Sequence, residues 1–138
     1  MNRYMNLIIL CVFLLVVINN AMAHSPEDPS HIGELFISAL KTRDFQQLAK
    51  CFHSDIHVGF LTPNRSGEVL GSIKVTGGIR LMLSNTETFT IEESNVKRLS
   101  DNKILISYRF RLDADTYYEQ RIFAIVKDGL QFTLQWFV

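Results

Sequence analysis

Cysteine is nearly absent. The chain has two in 138 residues, and Cys11 lies in an N-terminal stretch expected to be removed. Cys51 then stands alone, which excludes a disulfide within the domain. It sits beside Leu48 and Phe52 on the apolar side of an expected helix, the place of a small buried core residue. An intermolecular bridge is the alternative. A Cys51–His53 nucleophilic pair is disfavoured, because residues two apart on a helix do not face each other. An excess of positive charge is also missing: 14 basic residues stand against 14 acidic ones. Binding to a phosphate backbone needs such an excess, so nucleic acid is excluded as an expected partner. Long apolar runs are lacking too. The stretch Leu7–Ile18 holds twelve residues, well short of the roughly 20 that span a bilayer. No internal repeat, low-complexity segment or complete catalytic motif is present. His53 and His57 flank Asp55, but no third ligand lies near them in sequence, so no metal or other cofactor is expected.

What is present begins with an address. One charge at Arg3, the apolar run, Asn19-Asn20 and Ala21-Met22-Ala23 form the three parts of a secretory signal peptide. Cleavage after Ala23 would leave about 115 residues, 24–138, the size of one domain. The expected location is secreted, periplasmic or extracellular, with no membrane association once residues 1–23 are gone. Asn64-Arg65-Ser66 is a glycosylation sequon in an expected loop, meaningful only in a eukaryotic source.

The last third sets the architecture. Lys103–Leu112, Tyr117–Val126 and Leu130–Val138 read as three long strands, the last two joined at Asp128-Gly129. Ile104, Ile106, Tyr108, Phe110 and Leu112 form one apolar file. Leu130, Phe132, Leu134, Trp136 and Val138 form another. Ser107, Arg109, Arg111, Gln131, Thr133 and Gln135 make an opposite, polar face. Upstream, Asp28-Pro29 starts a helix with Ile32, Leu35, Phe36, Ala39 and Leu40 on one side. Asp44 caps a second helix with Phe45, Leu48, Ala49 and Phe52 on its face. Ile56, Val58 and Phe60 alternate as in a strand. Residues 62–67 read as loop and residues 68–70 as a short strand. Residues 72–85 read as a helix, irregular or kinked at Gly77-Gly78. A further strand is expected within 86–98. Helices followed by a meander make an α+β fold.

The segment Phe36–Val58, with Asp44, Phe52 and Asp55, together with Gly71 before the third helix and the Asp128-Gly129 turn, resembles the nuclear transport factor 2-like superfamily. That superfamily includes ketosteroid isomerase-like and SnoaL-like proteins. The resemblance spans essentially the whole of residues 24–138. It implies a curved antiparallel sheet wrapped around N-terminal helices, a cone with a pocket, and homodimerisation through the sheet. A cystatin shares the broad idea of a sheet curled on a helix. Here several helices precede the meander, and the glutamine-x-valine-x-glycine loop is missing.

Catalytic members of the superfamily place a carboxylate or histidine in the pocket with a hydroxyl or second acid opposite. The candidates are therefore His57, Tyr108, Glu119 and Arg121, although Glu119 and Arg121 equally suit a surface pair. Tyr108, Phe110, Phe123, Phe132 and Trp136 are candidates to line an apolar ligand pocket, or to fill a core. Three functions remain open: binding of a small apolar ligand or simple dimerisation without catalysis, an interaction module using the sheet face, and a small isomerase or cyclase.

Overall fold

The computed structural model describes residues 28–62, 64–86 and 88–137; the expected signal peptide and its cleavage site lie outside them. Among the described residues, three helices precede or interrupt six strands. They are α1 (Pro29–Thr42), α2 (Phe45–Lys50), β1 (Phe52–Thr62), β2 (Arg65–Leu70), α3 (Ser72–Ser84), β3 (Thr90–Ser100), β4 (Lys103–Arg111), β5 (Tyr117–Val126) and β6 (Leu130–Phe137). The α+β class expected from the sequence is observed, as a curved, unclosed six-stranded sheet in the order β2-β1-β6-β5-β4-β3.

The local causes are legible. Asp28 accepts a hydrogen bond from the Ser30 backbone N–H at 3.0 Å, and Asp44 accepts one from Gln47 at 3.0 Å, so both N-caps operate. Between the two helices Arg43 takes a left-handed conformation, φ 55°, which stops α1 and lets Asp44 restart the chain. The Arg43 guanidinium then donates to the carbonyls of Leu83 and Thr86 at 3.0 and 2.8 Å, satisfying the end of α3. Asp113 holds the β4–β5 turn by accepting from the N–H groups of Asp115 and Thr116 at 3.0 and 2.8 Å. Those bonds keep its carboxyl below the ordinary range.

Four expectations are corrected. Phe52 is not on α2 but opens β1, because α2 ends at Lys50 with Cys51 as its cap. Residues 65–67 belong to β2, where Gly67 lies against the Phe60 ring; a Cβ there would come within 2.6 Å of it. The third helix runs through Gly77-Gly78 as one α-helix. The sheet is not wholly antiparallel, since β1 and β6 pair in parallel.

All three helices pack on one face of the sheet, and the core lies between. Leu48, Cys51, Ile56, Leu83, Ile104, Ile106, Ala124 and Leu130 are essentially inaccessible there. No described helix is long and apolar enough to cross a membrane.

Candidate functional site

The helix-covered face does not close completely. A cavity of about 640 Å³ remains between α1, α3 and the inner face of the sheet. Phe36 and Leu40 of α1, Val58 and Phe60 of β1, Val69 of β2, Val75, Ile79 and Met82 of α3, and Phe89 and Phe110 line it. The size is within the range usual for small-molecule sites. Two anchors hold α3 across it. Arg43 grips the helix's C-terminal end, and the Gly71 N–H, at its N-terminal end, donates to the Ile56 carbonyl at 2.8 Å.

A polar row crosses the apolar wall. The Tyr108 hydroxyl donates to Gln120 Oε1, and Gln120 Nε2 donates to Gln135 Oε1 at 2.8 Å. Three strands supply the row, one residue each from β4, β5 and β6. Burial drives the Tyr108 phenol well above its usual pKa, so it stays protonated and acts as a hydrogen-bond donor. Arg65 and Lys74 also line the cavity. Among the described residues, no aspartate, glutamate or histidine does.

The sequence-derived candidates divide between the two faces. Tyr108 and Phe110 line the cavity. Phe123, Phe132 and Trp136 do not; they point to the opposite, outer face. Phe123 pairs with Leu105 and Leu134, while Ile122 and Ala124 enter the core opposite Ile106 and Ile104. In β6 the pairing jumps from Val126↔Leu130 to Ile125↔Phe132, which makes Gln131 an extra residue. One extra residue reverses the side of every later side chain. Leu130 therefore points inward, as expected, but Thr133 and Gln135 take the inner positions and Phe132, Leu134 and Trp136 the outer ones.

His57, Glu119 and Arg121 are also on the outer face and do not meet the Tyr108 hydroxyl. His57 Nε2 lies 3.0 Å from Glu68 Oε2, both well exposed, and its ring meets Phe132 edge-on at 6.0 Å. Glu119 and Arg121 share an open groove of about 410 Å³ with Ser107 and Arg109. Arg109 and Arg111 stack on the Tyr117 ring at 4.6 and 4.9 Å, and Arg111 pairs with Glu92. Cys51 is buried, and burial pushes its thiol up to about 11. His53 Nδ1 accepts from the Asp55 N–H at 3.1 Å, and no group of three potential metal ligands occurs among the described residues. Asn64 sits exposed in the turn between β1 and β2.

Sequence reasoning missed Arg65, Lys74, Gln120 and Gln135. A usable signal existed for Lys74, which is followed at helical spacing by Gly78 and Met82, all three on the cavity side of α3.

No family model matches the chain, and no curated protein matches it. Solved structures do. A protein of unknown function with a cystatin-like fold from Xanthomonas campestris superposes with a TM-score of 0.70 at 17% identity, covering 81% of this chain and 92% of that one. A nuclear transport factor 2-like protein from Anabaena variabilis gives 0.67 at 16%, covering 83% and 92%. A candidate ketosteroid isomerase from Kribbella flavida gives 0.63 at 15%, covering 82% and 79%. At these identities the likeness establishes the fold, which is that of the nuclear transport factor 2-like proteins.

Proposed function

We propose that the protein is an exported, non-catalytic binding domain that holds a small apolar ligand in the cavity under α3. The observation that carries this reading is the lining: about 640 Å³ of mainly aliphatic and aromatic wall, crossed by one row of hydrogen-bonded neutral groups. A general base poised near neutral pH would need a carboxylate or histidine in contact with the substrate. None lines this cavity among the described residues, and His57 and Glu119 lie across the sheet from Tyr108. This favours binding over the isomerase or cyclase alternative. Export rests on the N-terminal pattern ending at Ala23.

The test uses Nile red, a neutral apolar dye whose emission rises on entering a dry site. The wild-type protein should bind it. Gly78→Trp should abolish binding by putting an indole into the cavity, whereas Gly77→Trp should not, because Gly77 faces a separate groove between α2 and α3. Equal binding by both variants would refute the cavity as the ligand site.

A second reading is favoured by the outer face. Leu105, Phe123, Ile125, Phe132, Leu134 and Trp136 form a half-buried apolar surface away from the helices. Such a patch is what a second copy of the chain would cover. Dimerisation and ligand binding use opposite faces and do not compete.

A further inference from the structure

We propose that the ligand is an amphipathic carboxylate, a hydrocarbon chain or ring system ending in an acid, with its acid at the rim and its apolar body inside. This rests on the cavity reading above and adds the chemistry of the head group. Arg65, from the start of β2, and Lys74, from the first turn of α3, line the same cavity while remaining exposed at its edge. Their side chains come from consecutive elements, β2 and α3, and the turn at Gly71 between them brings both cations to one rim. Lys74 makes no ion pair among the described residues. A purely neutral ligand would draw nothing from two cations beside an apolar wall, whereas a carboxylate gains charge-assisted hydrogen bonds from both.

The wall explains the other half of the molecule. Phe36, Val58, Phe60, Val75 and Phe110 offer contact and few polar partners. The Tyr108 phenol proton is committed to Gln120 Oε1, and one Gln120 N–H to Gln135 Oε1. An acid buried among these groups would meet only the remaining neutral amide N–H groups in place of its hydration, with no cation beside it. The acid therefore belongs at the rim, where Lys74 and Arg65 reach it and water still screens it. Met82, half-exposed on α3 and part of the same lining, supplies an adaptable edge for a flexible chain.

The experiment compares laurate with methyl laurate by isothermal titration at about pH 8. The two share one hydrocarbon body and differ in charge. Laurate should bind about tenfold more tightly, the size of a charge-assisted contact at a partly hydrated site, and this preference should shrink with added salt. Lys74→Gln with Arg65→Gln should erase the preference, so that acid and ester bind the double variant alike. Both residues are exposed, and Nile red binding by the double variant verifies that its cavity is intact. Equal affinity for acid and ester in the unaltered protein, or an undiminished preference in the double variant, would overturn the head-group assignment and leave the cavity reading standing. Binding of neither laurate nor its ester would overturn both.

Discussion

Cys51 is held by its surroundings as a buried, neutral thiol. The sequence placed it among apolar neighbours, and the fold buries it completely at the cap of α2, its Sγ 3.3 Å from the Gln47 carbonyl. Burial favours the neutral thiol, raising its pKa from 9.0 to about 11. An acid held neutral in the fold binds its proton more tightly there than in the unfolded chain. Its stabilising contribution is therefore complete below about pH 9 and is lost progressively as pH rises toward about 11. Tyr108 adds a slope of the same sign at higher pH, since its phenol is also held neutral by burial. Comparing wild type with Cys51→Ala cancels the tyrosine and isolates the thiol. Urea midpoints measured across pH 8 to 11 should converge as pH rises, the wild type falling more steeply. Parallel curves would show that the thiol is not protected by the fold.

At the scale of elements, two glycines in helices predict opposite outcomes for one chemical change. Gly78 lies in α3, where an added Cβ would meet nothing within 4 Å. Gly78→Ala should raise stability by about 0.5–1 kcal/mol through the reduced entropy of the unfolded chain. Gly33 lies in α1, and there a Cβ would fall 2.7 Å from Val96 Cγ1 and 3.1 Å from Ile104 Cδ1. Valine is stiff at χ1 and cannot simply swing away. Overpacking costs about 1–3 kcal/mol, more than the helix gains, so Gly33→Ala should destabilise. Urea unfolding with unchanged slope reads both signs; a rise for Gly33→Ala would mean that α1 sits farther from β3 and β4. Elements decided by neighbours in the chain differ here from those decided across strands. Caps at Asp28 and Asp44, the file Ile104 to Phe110 and the Asp128-Gly129 turn depend on neighbours in the chain, and they were readable. The facing of β6 was not. Leu130-Gln-Phe-Thr-Leu-Gln-Trp-Phe alternates without a break, and the extra residue at Gln131 is visible only against β5. The cavity's polar row was hidden for the same reason: Gln135 looked like a solvent-facing residue until the bulge turned it inward.

For the whole molecule, that inversion moves the aromatic content of the last strand from pocket to exterior. Trp136 pairs with Arg121 on one side and Leu61 on the other, and Phe132 pairs with Ile125 and His57. Leu61 is 48% exposed at the edge of this surface. A monomer would leave these side chains against water; a two-fold partner would cover them with its own copy of the same strip. Leu134 is near the middle, between Phe123 and Gly59, so Leu134→Asp would place a charge where the two copies meet. Sedimentation velocity should give a dimer for the wild type and a monomer for Leu134→Asp. Trp136 is the only tryptophan in the chain, so its emission should shift to the red as the dimer separates. Nile red binding should persist in the variant, because the cavity lies on the other side of the sheet. A wild type that is monomeric at all accessible concentrations, or a Leu134→Asp variant that stays dimeric, would remove this face as the site of self-association. Loss of dye binding together with dimerisation would instead tie the cavity's integrity to assembly, making the dimer part of the binding site's support.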